Sequence, residues 1–483
     1  MVTGILQRLT SVAFWGGLCT VFSFFVSAGG FLLGGFILVV LLGIICLMAG
    51  PQFIVATWMI GSPTFFGFPN EILRGFPFVT MERLALFALI AMVFMRYAFD
   101  KKQTPWLAVE KCILIFLAYT FLNLLAHTDA QSVRQDGWLW IQFMLPMSAF
   151  IVSRRIEWND DRLKLLLAAL ALTGVFVAIA GILQSLFNVS IFTRNYQTIT
   201  IGHSGRAYGP FSSAHTYVAS LFIFLTVSLL QFSFYRDRFL RFLLIVAMGV
   251  MAVGIVLGVS RGPWIGAALA FVIIYFKHPP SRPLLLVGLF LAFLAGTGAA
   301  IVLVDHLGAI ASRMFDIGSM QGRAAAWATS INMVSDHPLF GVGFGSTTYA
   351  DNKAAYIIGI GSLSAQYADF HGVPHNQYLY VAVLAGLLGL ILFLMILFGM
   401  ARLMLRIYDS SDKSSLRGSL ALYAGAIFIA LMFNSIFSDT YLQDYFWVLA
   451  YFLAGIAAGN IDGSSVQRIT NEHGGRAHDA GNG

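Results

Sequence analysis

Charge is scarce in this chain. Asp, Glu, Lys and Arg make up 11% of the 483 residues while hydrophobic residues make up 58%, a balance that excludes a soluble multidomain protein. Cysteine is rarer still. Cys19, Cys46 and Cys112 lie inside apolar runs without CxxC spacing or clustered His and carboxylate partners, so neither a disulfide framework nor a zinc site is supported. No Asp-x-Asp signature of nucleotide-sugar enzymes is present, and Asp160-Asp161 reads as a solvated pair. The apolar runs lack the strict alternation of a transmembrane barrel. No internal repeat is visible, which weakens a two-fold transporter architecture.

What remains is apolar length. Mean hydropathy is +0.80, and spans fall at about 9–27, 31–49, 52–66, 82–99, 110–126, 137–153, 163–187, 213–234, 242–259, 263–276, 284–304, 377–401, 418–438 and 443–459. Backbone groups in a bilayer are satisfied within helices. The pattern predicts an all-α polytopic membrane protein of about 12–14 transmembrane helices, with one large extracytoplasmic loop containing short helices. The first span is read as retained rather than as a cleaved signal, because a second follows almost at once.

The formal net charge of +7 is not a nucleic-acid signature, because the basic residues sit in short clusters between spans. Lys101-Lys102, Arg154-Arg155, Arg236 with Arg238 and Arg241, Lys277 with Arg282, and Arg402 with Arg406 fall on one side when the spans are threaded. That side is expected to be cytoplasmic, together with both termini. The expected organisation is a transmembrane bundle over 1–304, an extracytoplasmic cap over 305–376, further transmembrane helices over 377–459 and a disordered cytoplasmic tail over 460–483.

The cap carries its own signals. The run RAAAWATSINMVSD predicts a helix opening at Arg323 and ending at His337-Pro338; a second short helix is expected over Thr347–Ile357, between glycine-rich runs. The run GVGFG at 341–345 reads as a turn through which Gly343 approaches a substrate.

Candidate chemistry gathers on the outer side. Arg261, in GVSRGPWIG, lies in a connection too short to leave the membrane surface, on the side that positive charge avoids. Snorkelling is the bland alternative, but Gly262-Pro263 would let a phosphate approach the backbone. Arg323 at a helix start combines aligned N–H groups with a guanidinium, and Arg206 in GRAYGPFSSAHT is a third outer arginine. A diphosphate would engage two or more of them.

His375 stands where the loop re-enters the membrane; an imidazole there can accept a proton near neutrality. Asn376 and Asp369 are candidate partners of the substrate site. His371 shares no helix with His375, since Val373-Pro374 intervenes; no metal and no cofactor are assigned. Asp439 and Asp444 read as a polar interfacial turn, with cavity lining as the alternative.

These residues resemble the bacterial O-antigen ligase and polysaccharide polymerase family of membrane glycosyltransferases. The family's loop-exit motif is met by His375, Asn376, Gly386 and Gly389, its arginine after a span by Ser260-Arg261-Gly262, and its loop-helix arginine by Arg323, followed by HPLFGVGFG. The resemblance implies a donor glycan on undecaprenyl diphosphate at the periplasmic face of the bacterial inner membrane. It implies an acceptor glycan or lipid A core, inversion without a metal, membrane lipid as surroundings and a chain-length regulator as a candidate partner. Arg261 and Arg323 would hold the diphosphate and His375 would take the acceptor proton, in a polysaccharide polymerase or an O-antigen ligase. The alternative of another class is a transporter or flippase of lipid-linked glycans.

Overall fold

The computed structural model describes residues 51–65, 89–90, 93, 104–127, 133–189, 206–211, 213–288, 317–357, 373–442 and 445–459. In chain order the helices are α1 (Pro51–Phe65), α2 (Ala108–His127), α3 (Val133–Arg154), α4 (Asp160–Phe187), α5 (Ala214–Phe234), α6 (Arg238–Leu257), α7 (Arg261–Lys277), α8 (Ile317–Asp336), α9 (Thr348–Lys353), α10 (Gln377–Ser410), α11 (Leu416–Asn434) and α12 (Tyr445–Ala458). Among the described residues there is no strand, and α2, α4, α5, α6, α10 and α11 are long and apolar enough to cross a membrane. The chain is an all-helical membrane protein. The spans expected at 9–27 and 31–49, most of those at 82–99 and 284–304, and the tail after 459 lie outside the described residues.

Polar residues stop and start these helices where the connections are short. Asn159, Ser213, Asp237 and Ser415 cap α4, α5, α6 and α11 by accepting from the N–H groups of Arg162, His215, Leu240 and Gly418. Each cap satisfies a donor that lipid cannot. Packing then depends on small residues that let helices approach. Tyr217 of α5 occupies a slot between α4 and α6: a Cβ on Gly181 would stand 2.2 Å from its hydroxyl oxygen, and one on Gly254 2.6 Å. By contrast, α6 leaves Phe242, Val246, Val253 and Val256 exposed, an apolar face suited to lipid.

Around α3, α10 and α12 the core is aromatic. Phe143 and Trp447 both stack on Tyr441 at ring separations of 4.6 Å, and Phe393 meets Phe116 and Phe143 at 5.8 and 5.9 Å. Phe344, from the cap segment, joins this cluster edge-on against Phe143.

One end of the bundle gathers the basic connections at Arg154-Arg155, Arg236–Arg241, Lys277–Arg282 and Arg402–Arg406; Lys101-Lys102 lies outside the described residues. Two of those residues are more than surface charges. Arg154 is 1% exposed and donates to the Glu110 carboxylate at 2.9 Å and to the Pro105 carbonyl at 2.9 Å. Arg155 donates to the other oxygen of Glu110 and lies over the Trp106 ring. The opposite end carries the candidate site.

The cap is anchored by a break in α10. Gly386 has φ 66° and ψ −175° inside that helix, which frees carbonyls of the preceding turn. The loop after α8 fills the gap: Val342 donates to Val383 O at 2.8 Å and Gly343 to Leu384 O at 3.1 Å, while Leu387 donates to Pro338 O at 2.8 Å. Tyr119 of α2 donates to Ala385 O at 2.7 Å, and Asn123 to Phe340 O at 2.8 Å. The exchange satisfies every carbonyl from Val383 to Ala385, as an apolar environment requires. Beyond it, Asp136 of α3 accepts from the Thr347 N–H at 3.1 Å. The second expected cap helix forms as α9 followed by a 3-10 turn over Ala354–Tyr356.

Candidate active site

The site begins where two chain reversals aim residues at one another. Val259 and His375 both adopt left-handed backbone, with φ 42° and 53°, a conformation that costs a non-glycine residue on the order of 1–3 kcal/mol and concentrates at functional positions. Each precedes a helix start. Val259 turns the chain into α7, whose first residue is Arg261, and His375 stands one residue ahead of Asn376, the N-cap of α10. Pro263 in the first turn of α7 loses no helical hydrogen bond there. Ser260, the N-cap residue, makes no side-chain cap bond.

Arg206 is set by a short clamped segment. Ala207 donates to Leu257 O of α6 at 3.0 Å, and the Tyr208 and Gly209 N–H groups donate to Gln184 Oε1 of α4 at 2.8 and 2.9 Å. Arg323 comes from the cap. It is the seventh residue of α8, since the helix opens at Ile317, which corrects the expectation of a helix start at Arg323. The backbone N–H groups there are already inside the helix, so only the guanidinium is available to an anion.

The arginines share one electrostatic environment. Burial pulls the Arg323 guanidinium below its ordinary value first, the charge of Arg261 pulls it further, Asp439 opposes, and Arg206 adds to the lowering. Three cations thus act on one half-buried patch with a single carboxylate among the charges that shift Arg323. The patch is predisposed to an anion of more than one charge.

Asp439 is that carboxylate. It lies 4% exposed in the turn between α11 and α12, and the turn is clamped to the start of α10. Gln377 donates its N–H to Ser435 O at 2.9 Å and accepts from the Tyr441 N–H at 2.9 Å, while the Asn376 N–H donates to Asp439 Oδ1 at 3.1 Å. The second oxygen, Oδ2, faces His375 Nδ1 at 3.4 Å. That separation makes an ion-pair contact rather than a well-formed hydrogen bond, and Oδ2 is otherwise buried without a partner. Burial pushes the Asp439 carboxyl up to about 7, against the lowering influence of the His375 and Asn376 amides and of Arg323. The group therefore ionises near neutrality.

A second imidazole completes the neighbourhood. His215, in the first turn of α5, has Nε2 2.8 Å from Asn434 Nδ2 of α11, and the charges of Arg323 and His375 both act on it. Asn434 occupies the space beside Gly262: a Cβ there would stand 2.5 Å from Asn434 Oδ1. The close approach at Gly262 is thus made by a side chain of α11, where the sequence suggested a phosphate.

Other sequence-derived candidates divide. Asn376 accepts from the Tyr378 and Leu379 N–H groups at 3.0 and 3.1 Å; its side chain is committed to capping, so it positions His375. Gly343, with φ 118°, packs against the His127 Cβ and pairs with the break in α10, a docking role. Asp369, His371 and Asp444 lie outside the described residues, which contain no group of three or more metal-ligating side chains. Asp439, which the sequence presents as a polar interfacial turn, faces His375, and His215 is an addition that the sequence does not single out. The signal for Asp439 was a carboxylate in an otherwise apolar pair of spans.

The described residues form a helical membrane protein with a polar patch, on which three arginine charges and one carboxylate act, at one end of the bundle. Residues 246–394 match the family model described as O-Antigen ligase. The chain carries a domain of that family over those residues, which include Arg261, Arg323, His375 and the Gly386 break. That match implies a membrane enzyme of the glycosyltransferase type, in lipopolysaccharide or polysaccharide assembly. No curated protein matches the chain significantly.

Proposed function

We propose that the protein transfers a glycan from undecaprenyl diphosphate to an acceptor sugar hydroxyl at the outer face of the bacterial inner membrane, polymerising surface or exopolysaccharide repeat units. One observation carries this reading: the charges of Arg206, Arg261 and Arg323 act together beside an imidazole that faces a carboxylate. A diphosphate needs the first and a hydroxyl nucleophile needs the second.

The chemistry follows from those placements. With Asp439 facing Nδ1, His375 takes the proton of the acceptor hydroxyl at Nε2 as that hydroxyl oxygen bonds the anomeric carbon. The bond from that carbon to the lipid diphosphate breaks, and the electron pair leaves with the diphosphate. Preorganised arginines stabilise the charge that develops there. Attack opposite the leaving group inverts the anomeric centre and requires no metal in this scheme. Asp439, ionised above neutrality, balances the imidazolium.

Purified protein in liposomes with lipid-linked glycan tests the reading. New glycosidic linkage that disappears in His375→Ala supports it; normal product from that variant at matched protein level overturns the base assignment. Chains growing on the lipid carrier mark a polymerase, and transfer to added lipid A core marks a ligase. Movement of the glycan across the bilayer without new linkage would instead establish a transporter.

A further inference from the structure

A second polar site lies at the opposite end of the bundle, where α4 begins, α5 ends and α11 begins. A cavity of about 250 Å³ opens there, lined by Leu167, Phe234 and Leu416 on its apolar side and by Lys164, Arg236 and Gln231 on its polar side. Its volume is below the range of about 300–1,000 Å³ usual for drug-sized ligands. Gln231 is 3% exposed and donates through Nε2 to Leu167 O at 2.8 Å. That bond fixes the amide orientation, and Oε1 is buried with no hydrogen-bond partner. An unmet acceptor in a cationic cavity asks for two things at once: an anion for the cations and a donor for the amide.

We infer that this cavity holds the headgroup of a phospholipid that carries an N–H or O–H donor beyond its phosphate. The phosphate lies between Lys164 and Arg236, and an ammonium or hydroxyl group donates to Gln231 Oε1. Among the described residues Lys164 pairs with Asp161 alone, an exposed contact at 3.9 Å, worth little in water, so its ammonium can turn to the cavity. A lipid is favoured over a soluble phosphate ester because the adjoining surface of α4 is apolar and open, with Leu165 72% and Leu172 71% exposed. Acyl chains would run along that surface. Nothing in this assignment depends on the chemistry at the other end.

Native mass spectrometry of the delipidated full chain tests it, with phosphatidylethanolamine, phosphatidylglycerol and phosphatidylcholine of matched acyl chains and with glycerol 3-phosphate. One tightly held lipid is expected, and the two donor-bearing lipids should exceed phosphatidylcholine, which has no headgroup donor, by about fivefold. Lys164→Ala with Arg236→Ala, both on exposed residues, should weaken all three lipids by about tenfold or more. Gln231→Met should keep lipid binding and erase the preference over phosphatidylcholine. Equal affinity for phosphatidylcholine in the unmodified protein, or no loss in the double variant, overturns the inference. Binding of glycerol 3-phosphate as tight as that of the lipids reassigns the cavity to a soluble phosphate ester and overturns the lipid assignment.

Discussion

Arginine is used in opposite ways at the two ends of the bundle. Arg154 is sealed from solvent, but Glu110 meets its charge directly and Arg155 shares the same carboxylate. Arg323 is only partly buried, yet its nearest influences are two further arginines against one aspartate. The first arrangement is a direct ion pair: both guanidiniums touch the one carboxylate they share. In the second, two like charges and one carboxylate act on Arg323, the arrangement the proposed diphosphate would complement. Burial alone therefore does not mark a functional arginine; the balance of its partners does.

The largest expected effect sharpens this contrast at the site end. His375→Ala, Arg323→Ala and Arg261→Ala should each lower glycan transfer by about 10²-fold or more without lowering the unfolding temperature of the purified protein. Glu110→Ala should do the reverse, destabilising the fold by roughly 3–5 kcal/mol because it strands a buried guanidinium. Activity per folded molecule should persist. Thermal unfolding in detergent alongside reconstituted transfer separates the two, and a destabilised Arg323→Ala would break the comparison.

Asp439 offers a pH test with a definite sign. In the folded protein it keeps its proton up to about 7, whereas an unfolded aspartate releases it near about 3.9. The folded state binds the extra proton between those values, so this residue makes stability fall as pH rises from about 4 to about 7. Transfer should rise over the upper part of that window as the carboxylate forms. Asp439→Asn is expected to flatten the stability decline and, by removing the charge that faces His375, to slow transfer about tenfold or more. Unfolding temperatures and transfer rates across that pH range check both halves.

The smallest effect belongs to the second imidazole. His215→Phe should reduce transfer only about three- to tenfold, consistent with loss of one hydrogen bond to Asn434, and should leave protein abundance unchanged. A loss as large as that of His375→Ala would move His215 into the proton-handling role.

The sequence made the helical membrane class legible because apolar length is a one-dimensional property. The arginines and histidine of the proposed site could be named from the sequence too, through Ser260-Arg261-Gly262, the GRAAAW run and the His375-Asn376 loop exit. Three-dimensional commitments were hidden. Nothing local marks Asp439 as the partner of His375, because the contact requires the turn after α11 to be clamped by Gln377. The true start of α8 was obscured by Gly322, which reads as a helix boundary and is tolerated within the helix instead. Arg154 looked like a topological charge because its partner, Glu110, is 44 residues away.

The break at Gly386 also defines where this protein can be recombined. Residues 338–343 and the first turns of α10 are laced together across the break, and a Cβ at Gly386 would stand 2.2 Å from Leu339 O. The loop and the outer piece of α10 therefore form one transplantable part, although the sequence places a loop boundary at His375. A chimera that exchanges the cap with a related enzyme should be joined below Gly389. Cut at the visible boundary, it would pair one protein's loop with another's broken helix.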